Sequence, residues 1–191
     1  ANGVLASGEF KSSLARRNCP VDRVFVDYPA VPQVPAGVIA AIRDADLVVM
    51  APGSLYTSLI PVLQLPEIAE AIRANHQAVE VLVANLWVQK GETDLVSDDP
   101  LRRYHVSDLV KSYQRNIPGG VGGLFDKIMV VSLRNIPGSV LQNYAIEGKV
   151  PIYLDRDEVI RMGFVPVEAK IFSESQLAGR GALQHDPASL A

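Results

Sequence analysis

A chain of 191 residues, 48% hydrophobic and 20% charged, is long enough for one well-buried domain and excludes disorder over most of its length. Eighteen basic residues against 21 acidic ones give a net charge of −3, and no basic run or Lys/Arg stripe breaks that balance, which argues against a nucleic-acid partner. The single Cys19 excludes an internal disulfide and fits a reducing cytoplasm, while no apolar run approaches the roughly 20 residues of a membrane helix and nothing at the start resembles a signal peptide.

The chain begins at Ala1, and Ala1 to Phe10 holds no helix or strand of convincing length, so residues 1–20 are expected to be an irregular lead-in to one domain over 1–191. Val21 to Val26 alternates and is valine-rich, which predicts a strand. Pro29, Pro32 and Pro35 then forbid regular helix before a predicted helix over Ala36 to Asp44. Leu47 to Ala51 is an apolar run behind Asp46, the pattern of a strand covered on both faces, and it breaks abruptly into Pro52-Gly53-Ser54. The helix after that break is expected to be interrupted at Pro61 and Pro66 and to resume over Glu67 to Asn75, with Ile68 and Ile72 on one face. Val79 to Ala84 predicts the next strand, followed by a polar loop, Asn85 to Thr93.

Beyond the acidic turn Ser97-Asp98-Asp99-Pro100, Tyr104 to Gln114 suits a helix that places Leu109 and Tyr113 on one face. Ile117 to Gly123 is a glycine-rich loop, Lys127 to Val131 a strand, and Gly138 to Tyr144 a short helix. Pro151 to Leu154 reads as a brief strand, Asp157 to Met162 as a helix closed by Gly163, and Val165 to Ile171 as a last strand. This alternation predicts an α/β fold: a three-layer, Rossmann-like, largely parallel sheet with helices on both faces. The pentapeptide Arg-Asn-Ile-Pro-Gly occurs at Arg115 to Gly119 and again at Arg134 to Gly138, in surroundings too different for a structural repeat.

The chemistry concentrates where apolar runs end. In open α/β sheets ligands collect outside the carboxyl ends of strands, where a helix start offers unpaired N–H groups to an anion. After Pro52, Gly53 would let the backbone approach a phosphate, and Ser54, Tyr56, Thr57 and Ser58 place four hydroxyls within five positions around Leu55. The second loop offers Asn85, Gln89 and Thr93, hydrogen bonders able to read a base, a ribose or a sugar, beside Gly91 and Glu92. The plainer reading is that Ser54 and Thr57 cap a helix and that Gly91 and Thr93 make a turn.

Other candidates carry less. Pro118 to Gly123 resembles a dinucleotide fingerprint only in glycine content, because it precedes a strand instead of following one. Ser54 has no histidine and acid at a spacing that identifies a triad. His105 at a helix start near Asp108, and His185 beside Asp186, are candidates for a base or a ligand contact, with capping as the alternative. Asp98 and Asp99 could hold a divalent cation but suit a turn better, so no metal site is expected within the chain.

With those residues in view, Ala45 to Pro61 closely resembles the signature of the YvcK-like (gluconeogenesis factor) branch of the CofD-like superfamily, usually Gly-Pro-Gly-Ser-Leu-Tyr-Thr-Ser. Asn85 to Thr93 resembles that family's Asn-x-Met-Thr-Gln-x-Gly-Glu-Thr, with Trp87 and Val88 in place of Met and Thr. His105, Asp126 to Val131 and Gln184-His185-Asp186 fall where the family has a helix-opening histidine, an Asp-Lys-Ile-Ile strand and an Arg-His-Asp. The resemblance runs from about Val21 onward and covers only the second part of the family's domain, without its Gly-Gly-Gly-Thr-Gly loop and Asp-Asp-Gly-Gly segment.

The resemblance implies a cytoplasmic protein that binds a nucleotide sugar such as UDP-N-acetylglucosamine and regulates carbon metabolism and cell shape, without a settled catalytic activity. The CofD branch implies instead a transferase that moves a phospholactyl group from a guanosine diphosphate carrier to a deazaflavin, with magnesium held by acidic residues outside this chain. A third possibility is an interaction module whose loops only shape the fold. The partners expected are a nucleotide or nucleotide sugar, an N-terminal half of the same domain and a second copy in a homo-oligomer (dimer).

Overall fold

Four short apolar runs make the sheet: β1 (Leu47–Met50), β2 (Val79–Val83), β3 (Lys127–Val131) and β4 (Val165–Ala169), all parallel and in the sequential order β1-β2-β3-β4. The computed structural model describes residues 5, 7, 20–96, 99, 101–180 and 183–190. Most of the lead-in predicted over 1–20, Cys19 included, and Ser97, Asp98 and Pro100 of the acidic turn therefore lie outside the described residues.

The register pairs Val49 with Val81, Leu82 with Ile128, and Met129 with Val167, so odd-numbered side chains share one face and even-numbered ones the other. The even face is the main core. Met50, Leu82, Ile128 and Val130 pack under helices α2 (Ile60–Leu63), α3 (Pro66–Ala74), α4 (Val106–Asn116) and α6 (Arg156–Arg161) through Ile60, Ile72, Val110, Tyr113 and Val159. On the odd face, Val83 and Val131 pack with Ile136, Ile171 and Phe172, and with Leu141 of α5 (Gly138–Ile146) and Leu177 of α7 (Glu174–Arg180). Helices on both faces of a parallel sheet give the expected three layers. A first helix, α1 (Ala36–Arg43), leads directly into β1, and a short α8 (Pro187–Leu190) follows α7. Among the described residues, no helix is long and apolar enough to cross a membrane.

Three expected elements take another form. Val21 to Val26 is extended but joins no ladder: the Val24 N–H donates to Asn116 Oδ1, its carbonyl accepts from Gln64 Nε2, and Asp22 pairs with Arg115, so the segment straps two helices together. Its alternation is real, since Val24 packs on the core while Phe25 faces solvent, but alternation reports burial and not a hydrogen-bonded neighbour. Pro151 to Leu154 forms isolated bridges instead of a strand, Pro151 with Trp87 and Tyr153 with His105. Pro61 does not interrupt its helix. It lies in the first turn of α2, behind a π-helical turn over Leu55–Leu59, where a missing N–H is tolerated; only Pro66 begins a new helix.

Candidate functional site

β1 stops at Met50 because Pro52 cannot donate to a ladder, and the chain turns through Gly53 and Ser54 into the π-helical turn Leu55–Leu59. The wide turn is defined by the Leu59 N–H, which donates to the Ser54 carbonyl five residues back. One strand over, Ala84 still donates to Met129, and Asn85 starts the second loop. Both loops thus leave the sheet at its carboxyl end on neighbouring strands, where the sequence predicts a ligand.

The two loops engage each other group by group. Asn85 accepts the Gly53 N–H through Oδ1 at 3.0 Å and donates Nδ2 to the Gly53 carbonyl at 2.7 Å. Gln89 Oε1 takes the Leu55 N–H at 3.4 Å and an Asn85 Nδ2 proton at 3.0 Å. Glu92, 6% exposed, accepts the Tyr56 N–H on Oε2 at 3.0 Å and the Thr57 hydroxyl on Oε1 at 2.9 Å. Thr93 closes the second loop on itself, its Oγ1 accepting the Gln89 N–H. Gly91, at φ 84°, makes the turn that brings Glu92 round, and its N–H donates to Asp94.

The predicted ligand-reading residues thus carry a structural role within the paired loops. Asn85, Gln89 and Glu92 satisfy the N–H groups of Gly53, Leu55 and Tyr56, so they build the first loop, and Glu92 supplies the negative charge that the start of a helical segment favours. The Ser54 side chain makes no capping bond. Among the described residues, the N–H groups of Ser54 and Thr57 and the hydroxyls of Ser54 and Ser58 have no protein partner. Tyr56 points inward: its hydroxyl donates to Ser112, which also meets Tyr104, and burial pushes the Tyr104 hydroxyl well above its usual pKa, with Tyr56 adding to the effect. Leu55 and Tyr56 therefore anchor the loop in the core.

Sequence reasoning passed over two exposed cations, Lys90 in the second loop and Arg134 in the turn after β3, which carry no ion pair among the described residues. Their signal was available: each is a basic residue a few positions past a strand's carboxyl end. His105 is the N-cap residue of α4, where its backbone N–H donates to Asp108, itself gripped by Arg102, and its ring lies 6.4 Å from Tyr153. Asp186 caps α8 through the Ala188 N–H and the Ser189 hydroxyl. His185 hydrogen-bonds to the backbone of Ala84, directly behind Asn85; burial lowers its pKa below the usual value, against that bond, and its Nε2 is buried without a partner. Among the described residues, no three His, Cys, Asp or Glu side chains lie together as metal ligands.

The glycine-rich loop lies elsewhere. It joins α4 to the amino end of β3, opposite the two loops, and its carbonyls at Pro118, Gly120 and Gly122 converge on the guanidinium of Arg73.

Comparison with known proteins bears on the family and the fold. The family model described as 2-phospho-L-lactate transferase CofD matches residues 1–172. The gluconeogenesis factor of Bacillus subtilis is 30% identical over 89% of this chain and 49% of its own length, and a relative from Deinococcus radiodurans is 33% identical over 100% of this chain and 36% of its own length. A crystal structure of a member of the UPF0052 family from Bacillus halodurans superposes with a TM-score of 0.68 at 29% identity, covering 85% of this chain and 46% of that one. The chain thus spans between about a third and a half of the length of these relatives. It belongs to the CofD-like superfamily, in the branch of the gluconeogenesis factors.

Proposed function

We propose that the protein binds a nucleotide sugar of the UDP-N-acetylglucosamine kind at the paired loops 52–58 and 85–93, and that it acts in the cytoplasm as a regulator of carbon metabolism and cell shape. The observation that carries this reading is the cross-bracing of the loops, in which Asn85, Gln89 and Glu92 hold a backbone turn while the Ser54 and Thr57 N–H groups have no protein partner among the described residues. A turn held this firmly, with Lys90 and Arg134 in the adjoining turns, suits the diphosphate of such a ligand. Binding is tested by thermal unfolding with UDP-N-acetylglucosamine, UDP-glucose and GDP. A ligand at a hundred times its Kd stabilises by about 2.7 kcal/mol, and the reading expects that shift with a uridine ligand and a smaller one with GDP. No shift with either uridine ligand defeats it.

The match to the transferase family model favours one second reading, the transfer of a phospholactyl group from a guanosine diphosphate carrier to a deazaflavin. That reading expects magnesium-dependent product formation and a GDP shift exceeding the uridine shifts. A flat product trace with a deazaflavin acceptor counts against it.

A further inference from the structure

Between α5 and α6 the chain runs extended through Val150 to Tyr153, and this segment pairs on both of its sides. Along one side it lies antiparallel to the second loop: the Val88 N–H donates to the Val150 carbonyl and the Ile152 N–H to the Leu86 carbonyl. Along the other it lies parallel to the entry of α4, where the Tyr153 N–H donates to the Tyr104 carbonyl and the Val106 N–H to the Tyr153 carbonyl. The three segments make a small patch with Trp87 opposite Pro151 and His105 opposite Tyr153.

Side chains on such a patch alternate between its two faces, and opposed residues share a face. Leu86, Tyr104, Val106 and Ile152 take the inner face, and all four are buried. That places Trp87, His105, Pro151 and Tyr153 together on the outer face, and each is partly in water, Tyr153 at 37%. Three aromatic rings and a proline thus share one wet surface, a large apolar area to leave uncovered.

Trp87 is the ring held most firmly. Tyr144 of α5 lies 4.5 Å from it between centroids, at an interplanar angle of 36°. Tyr144 is itself fixed, because its hydroxyl accepts the Leu183 N–H and Lys149 Nζ lies 4.6 Å from its ring centroid. Among the described residues no second ring lies against the indole, and neither its N–H nor the Tyr153 hydroxyl has a protein partner. The Asn-x-Met-Thr-Gln pattern of the family has methionine at this place, and a thioether packs well on an aromatic ring, so contact with Tyr144 does not by itself call for an indole.

The patch adjoins the paired loops. Trp87 is two residues from Asn85, which holds Gly53, and two from Gln89, which holds Leu55. We propose that this outer face is a base subsite: the nucleobase of the bound nucleotide stacks on the Trp87 indole while its phosphates lie at the 52–58 loop. The subsite rests on the nucleotide-sugar reading and divides that ligand between two surfaces, ring against ring and anion against backbone N–H. Trp87 then supplies affinity for the base that the methionine of the family pattern, with no flat π-face, does not.

Trp87 is the single tryptophan of the chain, so its emission reports on this face alone. The protein, excited beyond the absorption of uracil, is titrated with UDP-N-acetylglucosamine, with uridine monophosphate and, as a probe without a base, with N-acetylglucosamine 1-phosphate. Both uridine ligands are expected to quench the emission saturably, and the sugar phosphate to leave it unchanged. In calorimetry Trp87→Leu, which keeps apolar packing on Tyr144, weakens UDP-N-acetylglucosamine binding about tenfold, and Trp87→Phe, which restores a ring face, recovers most of that loss. A role in packing alone would leave the two variants equal.

Thermal stabilisation by UDP-N-acetylglucosamine with unchanged emission, or equal affinity of the Leu and Phe variants, overturns the subsite and leaves the nucleotide-sugar reading standing. Quenching by N-acetylglucosamine 1-phosphate as strong as that by the uridine ligands puts the sugar on the indole, and overturns the base subsite too. If no uridine ligand shifts the melting or quenches the emission, the nucleotide-sugar reading falls and the subsite with it.

Discussion

The chain has two glycine-containing loops that sequence could take for nucleotide cradles, and they have opposite electrical sense. In Pro118 to Gly123 the carbonyls of Pro118, Gly120 and Gly122 turn inward onto the Arg73 guanidinium, so the loop is shaped for a cation it already holds. In Pro52 to Ser58 it is N–H groups that converge on oxygens: those of Gly53, Leu55 and Tyr56 are taken by Asn85, Gln89 and Glu92, and those of Ser54 and Thr57 have no protein partner among the described residues. Glycine count does not tell the two apart. The direction in which backbone groups converge does, and it follows from position: the 118–123 loop enters the amino end of β3, while the 52–58 loop leaves the carboxyl end of β1 and begins a helical turn.

The contrast breaks most visibly at Gly120. Its φ is +74°, and a Cβ there would lie 2.4 Å from Gln114 Nε2, displacing the amide whose oxygen accepts the Val121 N–H. Gly120→Ala is expected to cost about 2–3 kcal/mol in chemical denaturation, from backbone strain and the lost hydrogen bond, and to leave ligand affinity alone in the folded fraction. Glu92→Ala comes next, at about 2 kcal/mol, because it strands the buried Tyr56 N–H. Unlike Gly120→Ala it should also weaken UDP-N-acetylglucosamine binding, and Glu92→Gln, which keeps one acceptor oxygen, should recover part of both losses. Arg73→Met removes three hydrogen bonds, but at a partly solvated site where water replaces them, so about 1 kcal/mol is expected with unchanged affinity.

Ser54→Ala should leave the melting temperature within a degree or so, since its side chain caps nothing, while lowering affinity several-fold in calorimetry. The smallest expected effect is on pH dependence. Burial lowers the His185 pKa from 6.5, so the unfolded chain takes up a proton that the folded chain resists. That contribution to stability is intact above pH 6.5 and is lost as pH falls through 6.5 toward the folded value, and His185→Gln should flatten this part of the curve measured between pH 7.5 and 5.5.

Much of the fold is legible in sequence because buried parallel strands announce themselves as apolar runs: Lys127 to Val131 is found residue for residue, and β1 and β2 each end one residue earlier than read. The strap at Val21 to Val26 is not, since a side chain 92 residues away, Asn116, supplies its hydrogen bond where a neighbouring strand would. The same physics governs the site. Sequence places both loops at strand ends, but the cap of the first loop comes from Glu92 instead of Ser54, across 36 residues. Local spacing cannot reveal that partner, although the orphan N–H groups of any helix start require one.

The account is tested most directly by following backbone amides in the 15N-labelled protein during titration with UDP-N-acetylglucosamine. It predicts that the Ser54 and Thr57 resonances move first and saturate together, while those of Gly119 and Gly120 stay in place. Movement confined to the glycine-rich loop, or no movement in Gly53 to Ser58 at millimolar ligand, would contradict it.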